Sequence, residues 1–202
     1  PTLAQFLLKK QILSEPEANA LVRQLAQAIH YLHAEHVLHR DIKPSNVFVT
    51  KSDPLELMLA DFGTARLTAQ QTMLTSSCGT VAYSSPEALT GLQSEASDYW
   101  SLGIILMEAL TGRQPFAGID LKQQLYRVVS GQIEIPEGVS PRWEELLRGL
   151  LRTDYTQRWR KKEIDAWLRA DVLTNATPVF ATRSAPPKSA PPAARSGAWL
   201  IP

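Results

Sequence analysis

Cysteine is nearly absent from this 202-residue chain: the single Cys78 excludes a disulfide scaffold and a cysteine-built zinc site. Neither sign of charge dominates. Lys+Arg 21 against Asp+Glu 20 leave a net charge of +1, which excludes a strongly basic nucleic-acid binder and a charge-driven disordered chain. Long apolar runs are missing too. The longest, Leu102 to Met107, is about six residues with Gly103 inside it, and a membrane span needs roughly 18. No charged-then-apolar leader follows Pro1, so the expected location is cytoplasmic. What is present is ordinary: 44% hydrophobic and 20% charged residues suit one globular core.

The composition changes along the chain. Residues 171–202 hold six of the 14 prolines, and 184–194 is an Ala/Pro/Ser run. Proline has no N–H and a fixed φ, so this stretch reads as an extended linker or tail, and the folded part as 1–170. Ser14-Glu-Pro-Glu17 has the spacing of a capping box, and Leu21, Leu25, Ala28, Ile29 and Leu32 follow at helical intervals. Leu3, Phe6, Leu7 and Leu8 suggest a short amphipathic helix before it. Val47-Phe-Val49 and Leu57-Met-Leu59, split by Ser52-Asp-Pro54, suit two short strands with a turn. From Ala96 to Leu110 the chain is apolar nearly all round, which predicts a buried helix stopped by Gly112. Further helices fit 119–130, 141–152 and 161–169. The fold class is mainly α with a small β element.

The chemistry lies beside that element. His39-Arg-Asp-Ile-Lys-Pro-Ser-Asn46 joins the long helix to the first strand, and Asp61-Phe-Gly63 follows the second. Asp41, Asn46 and Asp61 offer oxygen ligands only, as magnesium prefers, and Lys43 brings a positive charge close by. A carboxylate, an ammonium and a hard-metal site together suit phosphoryl transfer, where positioning and charge stabilisation dominate.

These residues resemble the catalytic-loop, magnesium-loop and activation-segment motifs of eukaryotic-type protein kinases, the third being Ser85-Pro-Glu87. Gly79-Thr-Val-Ala-Tyr83 resembles the segment that receives the substrate residue. Asp98-Tyr-Trp-Ser-Leu-Gly103 opens the buried helix as in that family, and Arg158 falls where the family keeps an arginine. The motifs stand in order over about 160 residues, and the fold they imply is the helical C-terminal lobe of a kinase.

The resemblance implies roles. Asp41 is the catalytic base and Lys43 meets the γ-phosphate. Asn46 and Asp61 hold Mg2+. Lys43, Ser45, Asn46, Phe48 and Asp61 contact ATP, with Phe48 under the adenine. Thr80 bonds near Asp41 and Lys43, and Asp98 ties down the catalytic-loop backbone. His39 and Phe62 stack in the column between the lobes, next to Gly63, and Glu87 pairs with Arg158. Lys43 points to Ser/Thr rather than Tyr specificity, so the partner is a protein with a Ser or Thr hydroxyl. Arg40 before Asp41 implies an anionic partner, a phosphate on Thr75, Ser76 or Ser77 of an activation segment that also holds Thr72.

Departures from the family pattern are few. Ser85 replaces the usual alanine and Tyr155 a frequent proline. The large one is that no Gly-rich loop and no strand lysine of the Val-Ala-Ile-Lys type occur. The chain therefore reads as an excerpt whose N-terminal lobe must come in cis, and which is inactive without it. The alternative is a catalytically silent interaction or regulatory module. A small-molecule kinase of related fold would lack Gly79-Thr80 and Ser85-Pro-Glu87. His30, His33, His36 and His39 recur every third residue, but His39 belongs to the catalytic loop, so a zinc site is not expected. Trp199-Leu-Ile-Pro202 after a basic linker resembles the approach to a membrane span in receptor-type bacterial kinases, which places any anchor beyond residue 202.

Overall fold

A computed structural model describes residues 1–60 and 81–175. Among them, seven α-helices surround one two-stranded antiparallel sheet, the mainly helical architecture that the periodicity predicts. The helices are α1 (Leu3–Lys10), α2 (Glu15–Ala34), α3 (Pro86–Leu89), α4 (Glu95–Thr111), α5 (Leu121–Ser130), α6 (Pro141–Leu150) and α7 (Lys161–Asn175). Strands β1 (Val47–Ser52) and β2 (Leu55–Leu59) lie between α2 and α3, and a 3-10 turn at Pro44–Asn46 leads into β1. No helix among the described residues is long and apolar enough to cross a membrane.

Local chemistry sets the helix ends. At α1, Thr2 and Gln5 form a reciprocal capping box. At α2, the Glu17 carboxylate accepts from the Ser14 N–H at 2.8 Å and from the Ser14 hydroxyl at 2.6 Å, and Lys10 approaches it at 2.8 Å. Gly112 ends α4 in the left-handed region at φ 68°, where a side chain would be strained, and returns its N–H to the Glu108 carbonyl at 2.8 Å. One expectation fails locally: Leu8 is 79% exposed and not part of the apolar face of α1. At angular steps of about 100°, Leu3 and Leu7 share a face and Leu8 is turned well away from it.

The sheet runs longer than its apolar runs suggest. Leu55 opens β2 opposite Ser52, while Val47 pairs with Leu59 and Val49 with Leu57. Val47, Val49, Leu55 and Leu59 point into the core; Phe48 and Met58 occupy the outer face. Both edges are occupied. On one, Thr2 bridges Phe48 and the Pro1 carbonyl accepts from the Val49 N–H at 2.8 Å. On the other, the Gln24 side chain of α2 donates to the Leu55 carbonyl and accepts from the Leu57 N–H, each at 2.8 Å. Backbone groups that would otherwise template another strand are thereby paired.

The core forms where α2 crosses α4, with α6 and α7 closing the far side. Trp143 and Trp167 meet there at 5.0 Å between ring centroids, as core residues. Gly149 of α6 has no room for a side chain, because a Cβ would fall inside the Trp159 indole. Gly149→Ala is expected to destabilise the chain by about 1–3 kcal/mol despite alanine's better helix propensity, because overpacking forces neighbours off their rotamers. Equilibrium urea unfolding would read this, and a variant as stable as the parent would contradict the packing.

Candidate active site

The loop from His39 to Asn46 is held from below by α4. Asp98, in the first turn of that helix and 1% exposed, accepts from the His39 N–H at 3.0 Å through Oδ2 and from the Arg40 N–H at 2.9 Å through Oδ1. Two backbone donors on one buried carboxylate fix the loop where Arg40 adopts a left-handed φ of 68°. The His39 ring is buried. Its Nε2 lies 3.0 Å from the Ala60 carbonyl, which makes it the donor, and Nδ1 accepts from the Asp41 N–H at 3.4 Å.

Asp41 is where the loop converges. The Asn46 side-chain amide donates to the Asp41 carbonyl at 2.8 Å and to its Oδ2 at 3.0 Å. Lys43 Nζ reaches the same Oδ2 at 2.7 Å, with both side chains part-exposed. Because Asn46 Nδ2 serves Asp41, its Oδ1 is the end left for a cation. Asn46 itself is seated by the 3-10 turn and by the Ala60 N–H, which donates to the Asn46 carbonyl at 2.9 Å. Ser45 is exposed on the same turn. Phe48 stands 40% exposed on the outer face of β1. Asp61, Phe62, Gly63, Thr72, Thr75, Ser76, Ser77 and Thr80 lie outside the described residues.

A second cluster fastens α3 to α4. Arg158 and Glu87 make a bidentate pair, Nη1 to Oε1 at 2.5 Å and Nη2 to Oε2 at 2.9 Å, with both side chains buried. Arg158 also donates to the carbonyls of Arg152 and Ala96, and its guanidinium lies 4.9 Å from the Trp100 ring centroid. The Ser97 hydroxyl donates to Glu87 Oε1 at 2.9 Å, one residue before Asp98. Burial pushes the Glu87 carboxyl up, but the hydrogen bond and charge of Arg158 outweigh it and hold the group below its ordinary range.

Three participants escape sequence reasoning. The Tyr83 hydroxyl donates to Glu108 Oε2 at 2.7 Å, and the Tyr83 carbonyl accepts from the Ser101 hydroxyl at 2.8 Å. Burial raises the Tyr83 hydroxyl pKa, and the Glu108 charge raises it further. Burial also pushes the Glu108 carboxyl up, with the Tyr83 hydrogen bond countering it in part. Glu108 opens onto a cavity of about 440 Å³ that it shares with Leu7, Gln11, Lys43, Ser45 and Tyr83. The available signal was a lone acid in the last turns of an apolar helix, where the dipole disfavours it. His33, the third, approaches Asp98. It and His39 are buried, whereas His30 and His36 are exposed, so the four histidines do not gather.

A helical lobe whose loop gathers Asp41, Lys43 and Asn46 beside a small sheet fits a domain of the protein kinase type. The family described as "Protein kinase domain" matches residues 1–167, and the chain belongs to it. It is 35% identical over 164 residues to the probable serine/threonine-protein kinase HSL1 of Saccharomyces cerevisiae, covering 80% of this chain and 11% of that protein. It is 35% identical over 168 residues to the serine/threonine-protein kinase GIN4 of the same yeast, covering 80% and 14%. To the mitosis inducer protein kinase cdr2 of Schizosaccharomyces pombe it is 32% identical over 164 residues, covering 80% and 21%. The chain thus spans about a tenth to a fifth of the length of these relatives. The domain is of the Ser/Thr kinase class, a family that uses ATP and Mg2+.

Proposed function

We propose that this chain supplies the catalytic loop and the substrate-facing floor of a Ser/Thr protein kinase that moves the γ-phosphoryl group of ATP to protein hydroxyls. The observation that carries the reading is the convergence on Asp41: two bonds from Asn46, the Lys43 ammonium at 2.7 Å, and a backbone held by Asp98. Asp41 Oδ2 is occupied by these partners, which leaves Oδ1 to accept the proton of the attacking hydroxyl. Lys43 carries positive charge to where the transferring phosphoryl group becomes crowded with negative oxygen. The donor set is all oxygen, from Asn46 and, by sequence, Asp61, which fits magnesium and not a soft metal. Bound Mg-ATP would supply the phosphoryl group and neutralise its charge. Phe48 offers the outer face of β1 to the adenine, and Ser45 borders the phosphate side.

Glu108 suits recognition of the protein substrate. A half-buried acid that makes no salt bridge among the described residues, in a cavity that adjoins Lys43 and Ser45, attracts a basic side chain near the acceptor hydroxyl. Glu108→Gln keeps the acceptor for Tyr83 and removes the charge. In the protein that contains this chain, it is expected to lower kcat/KM about tenfold for peptides with a basic residue close to the acceptor, in line with a charged hydrogen bond of about 1.5–3 kcal/mol. A neutral peptide should be unaffected, and equal losses on both peptides would contradict the assignment.

The same reading includes a dependence on parts that the sequence does not contain, since no Gly-rich loop or strand lysine of the kinase pattern is present to clamp the phosphates. The 202-residue chain alone should therefore transfer no phosphate in a radiolabelled-ATP assay, while the protein that contains it does. Autophosphorylation by the chain alone, abolished by Asp41→Ala, would refute that dependence and leave the kinase assignment standing. Absence of transfer in the whole protein would refute the kinase assignment.

A further inference from the structure

We propose that residues 179–183 of this chain, Val-Phe-Ala-Thr-Arg, dock as an added strand on the open backbone of residues 132–135, with Phe180 in the cavity that this stretch borders. The docking does not depend on the proposed chemistry.

The stretch after α5 is a strand without a neighbour. Gln132, Glu134 and Pro136 are exposed, while Ile133 and Ile135 are half-buried against the core. That is the two-residue period of a strand. The Gln132 N–H donates to the Arg127 carbonyl of α5 at 2.9 Å. In an extended chain successive residues turn their N–H and C=O to opposite edges, so Ile133 and Ile135 present theirs on the edge away from α5. Those groups have no hydrogen-bond partner among the described residues. Both edges of the β1–β2 ribbon, by contrast, are covered. Beside the stretch is a cavity of about 1160 Å³, lined by Ile12, Leu110, Phe116, Ile133, Ile135 and Val139. Apolar walls next to unpaired backbone suit an extended peptide, which brings main-chain bonds and alternate side chains together.

Three features select the chain's own tail. The first is where α7 leads. The Trp159 N–H bonds the Gly149 carbonyl near the C-terminal end of α6, and the Trp167 Nε1–H donates to the Arg142 carbonyl at 3.2 Å near its N-terminal end. Helix α7 therefore runs antiparallel to α6, towards Val139, which precedes α6 and lines the cavity. Beyond Trp167 it continues for about 12 Å to Asn175. Residues 176–178 add about 10 Å of chain that can turn back along it. The second feature is charge. Residues 176–202 hold Arg183, Lys188 and Arg195 and no acid, while Glu134 and Glu137 are exposed on the open stretch and its continuation. Arg113 and Arg127, also on the cavity, belong to the loop after α4 and to α5. The third is alternation. Val, Phe and Thr favour strands. With Phe180 turned inward beside Ile133 and Ile135, Arg183 falls on the outer face with Glu134. A second copy fits less well, because two such stretches paired antiparallel about Glu134 would set its carboxylate against its twin.

The test is amide hydrogen exchange in the full 202-residue chain. Ile133 and Ile135 should exchange about tenfold or more slower than free peptide amides, while Glu134, on the other edge, stays within about threefold of them. Phe180→Ser should return both isoleucine amides to the free rate and leave Ile105, in the middle of α4, within about twofold of the parent. Ala181→Ser, on the outward side, should keep the protection. Free-rate exchange at Ile133 and Ile135 in the parent would overturn the proposal. So would protection of all three amides alike, which is the mark of burial without pairing, or protection that Phe180→Ser leaves in place. Protection that grows with protein concentration would give the edge to a second copy and overturn the assignment to the tail. If Phe180→Ser also loosens Ile105, a synthetic peptide of residues 177–184 added to that variant decides: renewed protection of Ile133 and Ile135 supports the docking, and none overturns it.

Discussion

Asp41→Asn should lower kcat of the protein that contains this chain by about 10²–10⁴, the range for removal of a positioned general base. KM for ATP should move little, because the amide keeps the size of the carboxylate and Asn46 still finds an acceptor in the Asp41 carbonyl. Lys43 loses its ion-pair partner, but the pair is part-exposed, and such pairs contribute only about 0–1 kcal/mol to stability. The variant should therefore unfold at nearly the parent's temperature. Loss of activity in a stable protein is the signature of a chemical role. A kcat within tenfold of the parent would remove Asp41 from the base position, and a large drop in melting temperature would make its role structural.

The largest stability effect is expected at Arg158. Arg158→Leu leaves the Glu87 carboxylate buried with hydroxyl donors but no countercharge. Breaking a buried ion pair from one side costs about 3–5 kcal/mol. In a domain of this size that is a fall of roughly 6–20 °C in melting temperature. Replacing both partners by apolar residues, Glu87→Met with Arg158→Leu, should recover much of the loss, because the cost lies in the stranded charge. A double variant no better than the single one would locate the cost elsewhere, in the Arg158 bonds to the Arg152 and Ala96 carbonyls. The pH dependence has a definite sign. The folded carboxyl titrates below its ordinary 4.5. Its contribution is complete above that value and is lost as pH falls through the lower, folded-state value. Arg158→Leu should flatten this acid limb of the stability curve, measured by denaturant unfolding at a series of pH values.

Much of the frame was legible because it is written locally. The periodicity of Leu21 to Leu32, the unbroken apolar stretch after Ala96, the Ser14–Glu17 spacing and the stop at Gly112 each depend on residues a few positions apart. The loop motif from His39 to Asn46 was legible for the same reason. What sequence could not supply are pairings closed by the fold. Tyr83 meets Glu108 over 25 residues, His33 meets Asp98 over 65, and Gln24 reaches Leu57 over 33. Each joins residues whose neighbours give no periodic signal. His33 was further obscured by an every-third spacing of histidines that a helix of 3.6 residues per turn does not stack on one face. Glu87 and Arg158 lie 71 residues apart and became readable together only through family resemblance.

The clasp of Gln24 on β2 has a consequence for where the proposed chemistry happens. A two-stranded ribbon can slip by one residue, which moves every side chain to the opposite face and displaces the strand by about 3.3 Å. Here such a slip would bury Phe48, expose Val47 and Val49, and carry Asn46 and Ala60, at the ribbon's open end, out of step with each other. A productive active site tolerates misplacement of only about 0.5 Å. By gripping the Leu55 carbonyl and the Leu57 N–H together, the Gln24 amide ties β2 to the long helix in a single setting. One uncharged side chain on α2 thus acts as the index pin of the ribbon, and a helix outside the sheet gauges how Asn46 meets Ala60 at the ribbon's open end.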